Sequence, residues 1–192
     1  MENHLAGTVK TTFFDNVVAS TNSVIQVLEK YRDGTLKNAI LDLSRYDVAG
    51  PAGDGGIKHK DFESLYLYHD NLDNTDELVS KWDHIIDNFE LLKGNPSYFV
   101  WNNVQPNLHH MVMMVRDNTG FYNINIDQYN KINSLIQEIF GGIVIFIYRA
   151  GTITPELMAQ PNLYPIALPS VADDYKGPFD LFKYIFESAG IR

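Results

Sequence analysis

Apolar positions recur at helical spacing near the start of the chain. Phe14, Val17, Val18, Thr21, Val24, Ile25, Leu28 and Tyr31 form one stripe, which predicts a helix over about residues 12–32. Thr12 with Asp15 reads as a loose capping box, and Gly34 as the stop. Leu36, Ile40 and Leu43 predict a short second helix. Residues 48–57, Val-Ala-Gly-Pro-Ala-Gly-Asp-Gly-Gly-Ile, read as a loop. Residues 61–69 fit either a helix on Phe62, Leu65 and Tyr66 or a strand with Leu65 and Leu67 alternating with Tyr66 and Tyr68. A helix capped by Asp61 is the favoured reading.

The clearest helix follows. Asn74 is its N-cap, Glu77 sits at the capping-box position, and Asp76 and Glu77 complement the positive end of the helix dipole. Leu78, Trp82, Ile85, Ile86 and Phe89 make its stripe, and Gly94 and Pro96 end it. Tyr98 to Trp101 then reads as strand. His109 to Arg116 reads as a strand apolar on both faces, and Asp117-Asn118-Thr119-Gly120 as a hairpin turn. Tyr122, Ile124 and Ile126 alternate with Asn123 and Asn125, which predicts the return strand. Asp127 is read as the cap of a helix striped by Ile132, Leu135, Ile136, Ile139 and Phe140, and Gly141-Gly142 stops it. The apolar run Ile143 to Tyr148 predicts a buried strand, parallel to 121–126 by a crossover.

The tail from 151 to 177 is punctuated by Pro155, Pro161, Pro165 and Pro169. It reads as a surface arm with one short helix at 155–159, where Pro155 takes the first turn. A final helix is expected over about 178–188. The fold class expected is α+β: a helical N-terminal half packed on a roughly four-stranded mixed sheet. That sheet contains the antiparallel hairpin 109–126 and the β-α-β crossover 121–148, and a C-terminal helix follows. Residues 1–192 are expected to form a single domain, with 151–177 as a Pro-rich surface arm or loop.

Composition narrows the function. At 192 residues, with 45% hydrophobic and 20% charged side chains, the chain suits one globular domain. It has no Cys, so disulfides, thiolate zinc sites and a cysteine nucleophile are excluded. Met1 to Gly7 lacks the basic and apolar runs of a signal peptide. The most apolar stretch, Ile139 to Tyr148, falls far short of the roughly 20 residues a membrane span needs. A cytoplasmic location is therefore expected, or the virion for a viral structural protein, with no membrane partner. The net charge of −9 disfavours direct nucleic-acid binding, which relies on Lys and Arg to neutralise phosphate.

Candidate chemistry fails at named positions. A phosphate loop over Gly50 and Gly55 would need Lys where Gly56 stands. The histidines His4, His59, His69, His84, His109 and His110 form no His-Glu-x-x-His pair, and His109 and His110 point to opposite faces of a strand. The oxygen-rich run Asp70, Asn71, Asp73, Asn74, Asp76, Glu77 has Leu72 at a position where an EF-hand needs a ligand. Helix capping explains those residues better. No Gly-x-Ser-x-Gly elbow or Ser-x-x-Lys motif occurs, and the Rossmann fingerprint is absent. No catalytic, cofactor-binding or metal residue is assigned, and no cofactor is expected.

What remains points to contacts. The chain has 11 Tyr and 11 Phe. Tyr164 and Tyr175, with Pro161, Pro165 and Pro169, are the candidate interaction residues, because tyrosine is enriched at interfaces and long irregular segments tend to dock. The function expected is that of a non-catalytic structural or assembly protein, for example a component of a virion or phage-tail-like particle. Its partner would be another protein or a second copy. The rivals are an acidic immunity protein or antitoxin that inhibits a basic partner, and an enzyme whose site leaves no linear motif.

Overall fold

The computed structural model describes residues 13–15, 17–48, 56–67, 70–93, 98–103, 125–149, 155–159 and 163–166. Within them the chain is α+β, and no helix is long and apolar enough to cross a membrane.

The N-terminal part builds helices around a small antiparallel sheet. A 3-10 turn at Phe13–Asp15 leads into β1 (Val18–Ala19) and α1 (Thr21–Arg32). Ser20 caps α1 by accepting the Ser23 N–H, so the helix starts at Thr21 and not near residue 12. The apolar run before Ser20 continues the helical stripe only by coincidence of spacing. α2 (Leu36–Ile40), β2 (Tyr46–Val48), β3 (Ile57–His59) and β4 (Leu65–Leu67) follow. The strands pair antiparallel in the order β1-β4-β3-β2, with Tyr46 opposite His59 and Lys58 opposite Tyr66. Where the sequence favours a helix over 61–69, residues 61–67 are a turn and a strand, and 68 and 69 lie outside the described residues. Asp61 does not cap: its N–H donates to the His59 ring, and its carboxylate pairs with Arg45.

α3 (Thr75–Asp87) starts at the expected cap, Asn74, whose side chain accepts the Glu77 N–H at 3.4 Å. Glu77 returns a bond to the Asn74 side-chain amide at 2.7 Å rather than to the backbone. The helix tightens into a 3-10 segment, Asn88–Leu92. α4 (Ile126–Phe140) is capped by Asn125, not Asp127. Asn125 and Gln128 form a reciprocal capping box, and Asp127 lies in the first turn. Gly141 ends α4 with φ 66°, in the left-handed region that a side chain disfavours.

The second sheet is parallel, in the order β5-β6-β7, from β5 (Tyr98–Asn103), β6 (Ile143–Arg149) and β7 (Leu163–Ile166). β6 pairs with β5 in register from Tyr98 opposite Ile143 to Asn103 opposite Tyr148; of the strand expected at 121–126 parallel to β6, residues 121–124 lie outside the described residues. β5 and β7 occupy both sides of β6. The end of the expected strand, Ile126, is already helical, because Asn125 and Gln128 close the cap there. The rest of the hairpin 109–126 and the C-terminal helix lie outside the described residues. A helical turn, α5 (Pro155–Met158), precedes β7, as the proline at its first position favours.

One core joins these parts. Val27 and Leu28 of α1, Leu36 and Ile40 of α2, Trp82, Ile85 and Ile86 of α3, and Ile132, Leu135 and Ile136 of α4 are all buried. α1 runs against α4, and α4 lies against β6. Polar bridges line the α1–α4 seam: Gln128 donates to Asn22 at 2.8 Å, and Lys131 pairs with Glu29 at 2.8 Å.

A Cβ at Gly141 would meet nothing within 4 Å, so the cost of a side chain there is backbone strain alone. Gly141→Ala should destabilise by about 1 kcal/mol, and Gly141→Asn by less, because Asn tolerates the left-handed region. Urea unfolding midpoints at unchanged slope measure both.

Candidate functional site

Of the five candidate interaction residues, two fall on described backbone. Tyr164 and Pro165 lie on β7, opposite Ile147 and Tyr148 of β6. β7 is an edge among the described strands, the place in a sheet where a residue without an N–H is tolerated. Pro161, Pro169 and Tyr175 lie outside the described residues. Within the segment 151–177 the described residues form a helical turn and a paired strand.

Three polar clusters hold the chemistry of the described core. The first surrounds Asp70, 8% exposed. Its carboxylate accepts from the Trp82 indole at 2.8 Å and from Lys81 Nζ at 2.5 Å. Trp82 is itself 1% exposed. The carboxylate thus satisfies a deeply placed indole N–H and ties the segment before α3 onto α3. Asn71 accepts the Asp73 N–H at 3.0 Å. The oxygen-rich run 70–77 is accordingly consumed by turns, caps and this tie. Among the described residues, no three His, Asp or Glu side chains gather as a metal site.

The second cluster joins α1 to β4. Ser20 Oγ lies 3.1 Å from Ser23 Oγ and donates to Glu63 at 2.8 Å. Ser23 Oγ accepts the Ser64 N–H at 2.8 Å, and the Ser20 N–H donates to the Ser64 carbonyl at 2.9 Å. These hydroxyls serve as caps and cross-links, with no imidazole beside them in any of these bonds.

The third cluster is His59 with Tyr46. His59 is 0% exposed, and its ring lies 4.7 Å from those of both Tyr46 and Phe62. Nε2 bonds the Ala39 carbonyl at 3.0 Å, and Nδ1 accepts the Asp61 N–H at 3.1 Å. Tyr46 donates to the Ile40 carbonyl at 2.9 Å. Burial, reinforced by the Asp70 charge, holds the phenol above its ordinary value, so it stays neutral. β2 and β3 are thereby pinned to α2.

None of the three clusters was legible in the sequence. The second and third join residues far apart in the chain, such as Ser20 with Glu63 and His59 with Ala39, and no spacing rule reports such a meeting. The one usable signal was local: Asp70 stands near Trp82, a side chain whose N–H needs an acceptor when buried.

Asp70→Ala should cost about 1–3 kcal/mol, the penalty of an unsatisfied buried indole N–H. Trp82→Phe removes the donor, and the double variant should show coupling of the same order. A double-mutant cycle by urea unfolding measures the coupling.

No family model, no curated protein and no solved structure matches this chain.

Proposed function

We propose that the chain is a non-catalytic structural or assembly component that works through protein–protein contacts, as part of a larger particle such as a virion or phage tail. The observation that carries this reading is where the polar chemistry goes. Among the described residues, no buried side-chain N or O atom lacks a hydrogen-bond partner. His59, Asp70, Ser20 and Ser23 are each committed to joining one element to another. Groups held this way serve rigidity, which an assembly component needs.

The outer surface supports the same reading. β2 is an edge strand of the antiparallel sheet, and Val48 at its end is 70% exposed. An apolar side chain at an edge among the described strands suits a contact with another chain. The rival reading, an acidic inhibitor of a basic protein, needs carboxylates free to steer a partner. Many here face cations of the same chain: Lys37 lies 2.7 Å from both Asp83 and Asp87, and Arg45 pairs with Asp42 and Asp61.

The purified chain, measured by light scattering and sedimentation across concentration, should form a defined oligomer or ordered particle that survives 0.5 M salt, taken as roughly the ionic strength that screens surface charge. Val48→Asp should weaken that association and change folding stability by no more than about 0.5 kcal/mol, the usual limit for a surface site. A strictly monomeric chain that neither self-associates nor co-purifies with a partner overturns the proposal. A complex with a basic protein that dissolves in salt would instead establish the inhibitor.

A further inference from the structure

His59 has a property that protein contacts do not use. Its two ring nitrogens are engaged in opposite senses. Nδ1 accepts the Asp61 N–H, so Nε2 carries the proton and donates to the Ala39 carbonyl. The ring is thus held as one neutral tautomer. Adding a proton would set an N–H at Nδ1 against the N–H of Asp61, two donors 3.1 Å apart between their nitrogens. One of them must move, and the ring is enclosed by Tyr46 and Phe62.

The element that can move is the turn 60–64. Its attachments are local: Lys60 N–H to the Arg45 carbonyl at 2.8 Å, Lys60 Nζ to the Ser44 carbonyl and Asp47 at 3.1 Å, the Asp61 carboxylate to Arg45, Glu63 N–H to Gln26 Oε1 at 3.4 Å, Ser64 N–H to Ser23 Oγ at 2.8 Å, Ser20 N–H to the Ser64 carbonyl at 2.9 Å, and Ser20 Oγ to Glu63 at 2.8 Å. Phe62, 3% exposed, closes it over the His59 ring. The aromatic contacts of Phe89 with Phe13, Phe14, Tyr31 and Phe140 share no residue with this set. We infer that His59 is a proton-operated latch: taking up a proton, it releases the turn 60–64 from Arg45 and from the start of α1, exposes Phe62, and leaves the rest of the core folded.

The groups that face the ring set the direction. Burial is the chief influence and holds the imidazole below its ordinary value, while the Ala39 carbonyl pulls the other way. The Asp61 carboxylate would welcome a cation but is already paired with Arg45, and Arg45 and Lys30 oppose a second positive charge. The Tyr46 phenol stays neutral. The closed turn therefore binds the proton less well than the open one. Its stability is full above the ordinary imidazole value of about 6.5 and falls as pH drops below it, by at most about tenfold in the closing constant per pH unit.

Native-state amide exchange tests this in the full chain. The Asp61 and Ser64 amides are followed from pH 7.5 to 5 and corrected for intrinsic exchange, with Ile85 in α3 as the core reference. The opening constants of Asp61 and Ser64 should rise about tenfold between pH 6.5 and 5 and stay well above that of Ile85 at every pH, because the turn opens without the core. In His59→Gln, whose amide can still donate to Ala39 but cannot titrate, the opening constants should be flat with pH. Constants in the wild-type chain that do not change with pH, or that equal that of Ile85 at every pH, overturn the latch. If the Gln variant does not fold, the wild-type chain decides alone: the opening transition must coincide with the titration of the His59 ring followed by NMR, and separate midpoints refute the inference.

Discussion

The ring of Phe89 is the contact on which the described fold depends. It is fully buried and lies 4.8 Å from the ring of Tyr31, 5.6 Å from Phe140, and 5.7 and 5.8 Å from Phe14 and Phe13. Phe89 lies in the 3-10 segment after α3, and its neighbours belong to the first 3-10 turn, α1 and the end of α4. Segments more than a hundred residues apart therefore meet at one side chain. Tyr31 stacks on Phe140 at 5.6 Å, and Phe13 meets Trp82 edge-on at 5.3 Å, so the cluster closes on itself. Aromatic pairs in such geometries contribute beyond their buried area, about 0.5–1.5 kcal/mol each. They also fix angles that an aliphatic core leaves looser.

The polar clusters operate where the aromatic cluster does not reach. Asp70 holds the approach to α3, the Ser20–Ser23 pair holds α1 to β4, and His59 holds β3 to α2. The antiparallel sheet needs this help. Its strands are two or three residues long, and so short a ladder cannot stand without packing and cross-links. β4 is buried along its whole length, which is why side-chain bonds from α1 can secure it.

Length explains what the sequence made legible. α3 and α4 span 13 and 15 residues, enough for an apolar stripe to repeat. Their core faces, from Leu78 to Ile86 and from Ile132 to Phe140, could be read directly. Strands such as Ile57–His59 and Leu65–Leu67 show barely one alternation, so period two is invisible and the N-terminal half looked helical. Asp61 and Asp127 misled in the same way. An acidic residue before an apolar run fits a cap, but at 61 the carboxylate was taken by Arg45, and at 127 a better cap, Asn125, stood two residues earlier. Strand partners were illegible for a different reason. That β6 lies between β5 and β7 depends on a choice of neighbour that residue pattern does not encode.

The acidity looks different once the charges have places. Each exposed ion pair contributes little by itself, about 0–1 kcal/mol. Their positions still matter: Lys37 spans from α2 to Asp83 and Asp87 of α3, and Lys131 from α4 to Glu29 of α1. Asp76, Glu77 and Asp127 sit in first turns, where the helix dipole favours them. A carboxylate engaged in this way presents a weakened field to an approaching molecule. The net charge of −9 is what remains after every Lys and Arg is subtracted, so these pairs leave it unchanged. What they add is local chemistry that orders one helix against the next.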